Sequence, residues 1–432
     1  MNTMNGQEVY TRLIENYNES GLSRSGVSGK RLASRISDIS EIGRTEEGGS
    51  HRIGFSKEEK QAKQLVMKWM TEAGLEVKED GAGNVFGRLE GRDKQLSALL
   101  SGSHADTVPN GGHFDGILGV LVALEVAEAW KETGYIPEYP YEVVIFSDEE
   151  GARFNDGFTG SRSMTGIVDM EKQKKLIDYE GNSFEKVLNQ VDLTSEQFFS
   201  AKRDLKEIEA FIEVHIEQGI LLEKSDIPVG IVSGIAGPSW LEITYRGTAG
   251  HAGNTPMNHR NDALVAAGEL VCHIPSLPMK VSSTAVATVG KMEVKPNGIN
   301  VIPGEVTLFV DIRDIYEHTR DELIKLVINA AEDISKKHKI ESEYNEVLKI
   351  EPVPIKEKMM EKLKRSIEAK GIEPFFLPSG AGHDSMILGR FIPTAMLFVQ
   401  SKDGISHNPL EWSSLNDCVH SVHVLKHFLE NY

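Results

Sequence analysis

The sequence predicts an α/β protein: a mixed, mostly parallel sheet covered by helices on both faces, interrupted by an inserted α+β domain. Three observations predict it. In the first half of the chain, short β-rich runs alternate with long helical stretches, the pattern of strands joined by crossover helices. Those runs end in turns rich in Gly, His, Asp and Glu, where open α/β sheets collect their active groups. From about residue 232 the order becomes β-α-β-β-α-β, that of a small module with one antiparallel sheet and two helices on one face. A length of 432 residues favours two or three folded units over one.

Residues 57–73 place Ala62, Leu65, Val66, Trp69 and Met70 on one helical face, and Gly74 ends that helix. An apolar run at 97–101 breaks into Gly102-Ser103-His104. Ile117 to Trp130 is apolar on most faces, as a buried helix would be. The strand-like run Tyr141–Phe146 stops at Ser147-Asp148-Glu149-Glu150-Gly151, and the run 211–216 stops at Glu217-Gln218-Gly219. In the module, strands are expected at Trp240–Arg246, Ala285–Val294 and Val306–Ile312, with helices at about 259–273 and 318–337. A helix (357–370), a strand (394–399) and a final helix (411–430) follow. One domain is therefore expected from 1–231 and 350–432, and the inserted one from 232–349.

With 47 basic against 65 acidic side chains, the net charge of −18 repels phosphate backbones and argues against a nucleic-acid partner. Two cysteines, Cys272 and Cys418, make no disulfide framework and no C-x-x-C pair. No run approaches the ~20 apolar residues of a membrane span, and the polar start lacks a signal peptide's apolar stretch. The expectation is a soluble, cytoplasmic protein with no membrane partner.

The densest chemistry lies in Gly102-Ser-His104-Ala-Asp106-Thr-Val-Pro-Asn-Gly-Gly-His113-Phe-Asp115-Gly116. An imidazole two residues from a carboxylate suits a metal ligand with a partner that fixes its tautomer. Asp115, between Phe114 and Gly116, could offer its two oxygens to two metals. By itself the stretch reads equally well as a polar loop using Asp and Gly for turn geometry. Glu149 and Glu150 at a strand end can diverge, one toward a metal and one toward a water; a charged loop is the plain alternative. His215 near the end of an apolar strand reads alone as a core or edge residue. His407, in Ser406-His407-Asn408-Pro409-Leu-Glu411, also fits a helix start with Asn408 as cap and Pro409 at the first position. Taken together, the four stretches supply His, Asp, Glu, His and His without thiolates, a donor set for two borderline divalent ions bridged by a carboxylate.

The ordered motifs SHADTVPNGGHFDGILGV, FSDEEGARF, EVHIEQG, GHAGNTPM, SGAGHDS and ISHNPLEW resemble the co-catalytic dimetal amidohydrolases related to aminoacylases and carboxypeptidase G-type enzymes. The resemblance runs from about residue 35 to the C-terminus. It is greatest to the branch of N-carbamoyl-L-amino-acid hydrolases and allantoate amidohydrolases, which cleave ureido groups of small carboxylates and release ammonia and carbon dioxide. The resemblance implies that His104 and His215 hold one divalent ion and Glu150 and His407 the other, with Asp115 between them. The ions would be zinc, manganese, cobalt or nickel. Glu149 is implied as general base and Asp106 as the carboxylate orienting His104. His215, where many distant relatives have aspartate, is similar to the ureido-hydrolysing branch.

In the module, His251 lies on a small-residue turn, Asn300 on a loop and Arg313 at a strand end. From the residues alone, Asn300 reads as a turn group and Arg313 as a salt-bridge partner of Asp311 or Asp314; His251 reads as an oxyanion donor or an exposed turn residue. The resemblance instead puts all three on the substrate, with Gln218 as a further contact. It implies a homodimer through the inserted domain, which would act as a lid with hinges near 231–236 and 347–352. No role follows for His383. Pro238 stands where allantoate-specific members tend to carry an amide, which favours an N-carbamoyl-L-amino acid over allantoate; Trp240 beside it could be module core. A dimetal aminoacylase or peptidase is the further alternative, and a metal-free binding protein would be expected to have lost part of this set.

Overall fold

In the computed structural model, which describes residues 4–432, the chain forms two units. The larger comprises the chain up to Val232, Ile355–Leu377 and His383–Tyr432; the smaller comprises Ser233–Pro354 and Pro378–Gly382. The chain as far as Ile235 supplies strands β1 (Glu76–Glu79), β2 (Val85–Leu89), β3 (Ala98–His104), β4 (Tyr141–Phe146), β5 (Ile208–Ile216) and β6 (Val229–Ile235), the last running past the boundary at Val232. Then come β7 (Gly237–Arg246), β8 (Gly250–His251), β9 (Val286–Lys295), β10 (Val301–Ile302), β11 (Glu305–Asp314), β12 (Glu341–Lys349) and β13 (Val353–Pro354). β14 (Phe376–Ser379) and β15 (Thr394–Val399) complete the set.

The sheet of the larger unit runs β1-β2-β4-β3-β5-β15-β6. Its centre, β4, β3, β5 and β15, is parallel. Outside the centre, β1 with β2, β2 with β4 and β15 with β6 are antiparallel, so parallel pairing is confined to the middle of a mixed sheet. The antiparallel edge follows from the short turn Asp80–Asn84, too short for a crossover helix and closed by the Asp80 carboxylate accepting the N–H groups of Ala82 and Asn84.

Alternate residues of the central strands feed two cores. Val143 and Ile145 of β4 join Ile212 and Val214 of β5 on one face, while Val144 and Phe146 join Leu100 and Phe211 on the other. Helices on each side are what make a continuously apolar strand stable, since each such side chain removed from water contributes about 1.5–3 kcal/mol. The helix Ile117–Thr133 is buried at every position from Ile117 to Trp130 and packs on β3, β5 and the final helix. The parallel strands β3, β4, β5 and β15 end on one edge, which places His104, the Ser147–Gly151 turn and Glu217 together.

The final helix departs from expectation. It spans Leu415–Glu430, not 411–430, and is capped by Ser414, whose Oγ accepts the Asp417 N–H at 3.2 Å. Asn408 and Pro409 do not begin it, because His407 adopts a left-handed φ of 54° and residues 405–414 run as an irregular loop.

In the smaller unit the sheet order is β12-β7-β11-β9, antiparallel throughout. Helices Ala263–His273 and Glu317–His338 cover the face presented by Leu241, Ile243, Tyr245, Val306, Leu308 and Val310. The first of these helices starts four residues later than expected, because Asp262 caps it. Trp240 is not module core: the two-residue period of β7 turns it outward, and it is 45% exposed.

Candidate active site

Two groups of donor atoms form at the strand ends of the larger unit. His104, Asp115 and His215 make the first and Asp115, Glu150 and His407 the second, each with ligand atoms within 4.8 Å of one another. Asp115 belongs to both and divides its oxygens between them. Its Oδ1 lies 3.4 Å from His104 Nε2 and 3.3 Å from His215 Nε2, and its Oδ2 lies 3.6 Å from His407 Nε2. His407 Nε2 is in turn 3.5 Å from Glu150 Oε2. Gly116 permits this packing, since a Cβ there would fall 2.3 Å from the His104 ring and its φ is +64°.

The hydrogen bonds fix the state of the two buried imidazoles. His104 Nδ1 faces the Asp106 carbonyl at 3.1 Å and His215 Nδ1 faces the Ile216 carbonyl at 3.0 Å. A carbonyl only accepts, so both Nδ1 atoms carry hydrogen, and in the neutral form of each ring it is Nε2 that has the lone pair facing Asp115 Oδ1. Lone pairs converging on a buried carboxylate repel unless a proton or a cation stands between them. This set of imidazole and carboxylate donors, with one carboxylate oxygen facing each group, fits two divalent ions.

Asp106 holds the neighbouring turn. Its Oδ1 and Oδ2 accept the N–H groups of Glu149 and Glu150 at 3.1 and 3.2 Å, and its carboxylate lies 3.5 Å from His104 Nδ1, whose bond is to the Asp106 carbonyl. Asp148, at φ +50°, makes the sharp bend that lets the next two carboxylates diverge. Glu149 Oε2 stands 3.7 Å from His104 Nε2, and Glu150 Oε1 is buried without a hydrogen-bond partner. Gln218 donates from Nε2 to Asp115 Oδ2 at 2.7 Å.

Residues outside the expected set support these groups. Glu213, two residues before His215 on the same strand face, accepts from Ser103 Oγ at 2.7 Å and Ser385 N at 2.9 Å. Glu411 accepts the backbone N–H groups of Phe114 and Asp115, and Ser406 Oγ lies between Asp115 and Glu411. Both Ser406 and Glu411 stood in the motif around His407, but nothing local in the sequence says that they face Asp115. His383 is buried with its ring 4.5 Å from that of His215.

Electrostatics follow from this crowding. Burial, with Glu150 alongside, pushes Glu149 well above the usual carboxylate range against the pull of His104. Burial and Asp115 raise Glu150 in the same way. Burial would raise Asp115 too, but His215 and His104 outweigh it and hold it well below its ordinary value. Burial opposes the charged His104, yet Glu149, Asp106 and Asp115 hold it well above the ordinary imidazole value. Bound dications would take over the protons' part, favouring ionised carboxylates and neutral imidazoles.

The other expected residues lie in the smaller unit. His251, exposed on β8, accepts the N–H groups of Gly253 and Asn254 at Nδ1, at 3.0 and 3.2 Å. Its hydrogen is therefore on Nε2, the opposite tautomer to His104 and His215. Asn300 is next to it, its carbonyl accepting the Ala252 N–H at 2.9 Å. Arg313 is gripped by Asp311 through Nε and Nη2 at 2.8 and 2.7 Å and gives Nη1 to the Gly380 carbonyl at 2.7 Å. Of the guanidinium's five N–H groups these use three, so two stay available; Asp314 is not its partner.

An α/β sheet that gathers such donors at its strand ends, with a carboxylate beside them, has the equipment of a hydrolase. Residues 100–431 match Peptidase family M20/M25/M40, and the chain belongs to that family. It is 42% identical over 401 residues to the N-carbamoyl-L-amino acid amidohydrolase of Geobacillus stearothermophilus, covering 93% of this chain and 98% of that one. It is 35% identical over 391 residues to the allantoate amidohydrolase of Bacillus subtilis, covering 90% and 94%. The solved structure of an amidase of the hydantoinase/carbamoylase family from Burkholderia multivorans superposes with a TM-score of 0.88 at 33% identity, covering 94% of this chain and 98% of that one. Among the described residues, no helix is long and apolar enough to cross a membrane.

Proposed function

We propose that the protein hydrolyses the ureido group of an N-carbamoyl-L-amino acid, giving the L-amino acid, ammonia and carbon dioxide, with two divalent ions per subunit. The observation that carries this reading is Asp115 presenting one oxygen to each donor group, with Glu149 beside them. Zinc, manganese, cobalt and nickel all suit imidazole and carboxylate donors. Bound there, such ions polarise a carbonyl and lower the pKa of water toward ~7. Glu149 takes a proton from the attacking water and returns it to the leaving nitrogen. His251 donates its Nε2–H to the oxyanion that forms, the role its tautomer supports. Arg313 holds the substrate carboxylate through its remaining N–H groups, and Gln218 and Asn300 supply amide donors.

Two observations favour a carbamoyl amino acid over allantoate. The carbamoyl-amino-acid relative is the more similar of the two, at 42% against 35% identity. In register opposite Arg313 stands Pro238, which has no donor for a second ureido arm. The inserted unit serves as lid and dimerisation domain, with His251 reaching the partner subunit's site; exposed Val286 and Met292 on β9 support a partner there. Two unpaired cysteines suit a reducing compartment such as the cytoplasm.

The test is ammonia release by metal-loaded protein given N-carbamoyl-L-amino acids, allantoate or N-acetyl amino acids. Ammonia from the carbamoyl compounds is expected. Ammonia from allantoate alone would move the substrate to ureide catabolism, and deacetylation without ammonia would make the protein an aminoacylase.

A further inference from the structure

The loop that carries His407 has no strand or helix to hold its ligand in place. His407 sits at a left-handed φ of 54° within residues 405–414, and its side chain is 48% exposed. Three contacts join this loop to the turn that carries Asp115. Glu411 is 2% exposed, and its Oε1 accepts the N–H groups of Phe114 and Asp115 at 2.9 and 3.0 Å. Ser406 Oγ, next to His407, lies 2.9 Å from Glu411 Oε2 and 3.0 Å from Asp115 Oδ2. Trp412 packs edge-on against Phe114 with ring centroids 5.3 Å apart. The turn is shaped to receive the carboxylate: a Cβ at Gly112 would lie 2.1 Å from Glu411 Cδ, so any larger residue there would expel it.

We infer that Glu411, with Ser406, is a positioning residue for the second metal group, a brace that sets the spacing of His407 against Asp115. The inference rests on the two-ion reading above. Glu411 offers no oxygen to the ions; both are committed to Phe114, Asp115 and Ser406. Asp115 has further anchors, since its carbonyl accepts the Ile117 N–H at 2.7 Å and its Oδ2 accepts from Gln218 Nε2 at 2.7 Å. His407 depends on the loop. Loss of the brace therefore falls on the group Asp115–Glu150–His407 and spares His104–Asp115–His215. Partners of this kind typically affect metal affinity 10–100-fold.

The experiment titrates metal-free wild-type protein, Glu411→Ala, Glu411→Gln and Ser406→Ala with cobalt(II), reading ions bound per chain and the visible spectrum of each. Wild type is expected to bind two ions. Glu411→Ala should bind the first as wild type does and the second about 10–100-fold more weakly. Glu411→Gln, whose amide oxygen still accepts both N–H groups, should recover part of that loss. Ser406→Ala should weaken the second ion without opening a large void, and stands in should Glu411→Ala fail to fold. Two ions bound alike in wild type and variants would overturn the brace and leave the metal reading intact. Equal weakening of both ions would overturn it as well, showing general loosening. No binding by wild type would remove the two-ion reading itself and the brace with it.

Discussion

The two donor groups share Asp115 but are built in different ways. His104 and His215 stand at the ends of β3 and β5, strands buried almost throughout, and each imidazole is 1% exposed. Glu150 and His407 stand in turns, and the His407 side chain is 48% exposed. The first group is held by the sheet, where moving a ligand means disturbing packed neighbours. The second is held by hydrogen bonds between loops, whose local opening costs far less than global unfolding. Asp115 thus joins a sheet-held donor group to a loop-held one, and on the proposed two-ion reading the two should lose their ions under different conditions.

The most severe way to break this comparison is to remove what the halves share. Asp115→Ala should abolish binding of both ions and bring turnover to background, as measured by metal content after dialysis and by ammonia release. Retention of one tightly held ion would show that the halves are independent after all. Glu149→Gln should leave both ions in place while lowering kcat by a factor of roughly 10²–10⁴, the usual worth of general acid–base catalysis. Near-normal kcat in that variant would remove Glu149 from the proton transfers.

The asymmetry itself is tested by paired substitutions. His407→Ala should release one ion, yet leave the thermal unfolding of the metal-free protein within the ±0.5 kcal/mol typical of surface changes. His215→Ala should release the other ion and also destabilise the metal-free protein by about 1–3 kcal/mol, because it opens a void between β5 and His383. Equal stability costs at the two positions would refute the division into a sheet-held and a loop-held half.

The same division explains what the sequence disclosed. Motifs at strand ends were legible because apolar runs such as Tyr141–Phe146 announce where a strand stops, and the turn after it must then carry the chemistry. The module's β-α-β-β-α-β order was legible from its periodicity. The loop around His407 was not: Asn408 and Pro409 mimic a helix start, and contacts distant in sequence, from Ser406 and Glu411 to Asp115, help hold it in another shape. Glu213 was hidden likewise, since a carboxylate in an apolar strand shows its purpose only when Ser103 and Ser385 are seen against it. Tautomers are wholly structural, which is why His251 and the imidazoles of His104 and His215 look alike in the chain and opposite in the fold.

The smallest expected effect separates acid loss of ions from acid loss of the frame. His423, on the final helix after the His407 loop, gives its Nε2–H to the Leu22 carbonyl at 2.7 Å. Burial, aided by Arg24, Lys370 and Lys426, lowers its pKa below the ordinary imidazole value, despite that bond. The unfolded chain therefore binds a proton at His423 at a pH where the folded chain does not. Stability from this residue is complete above the unfolded value near 6.5 and is lost as pH falls toward the folded one. Urea unfolding of the metal-free protein should accordingly show a shallower decline between pH 7 and pH 5 in His423→Gln than in wild type. With no ions present, that difference belongs to the frame alone; identical slopes would assign the acid sensitivity to other groups.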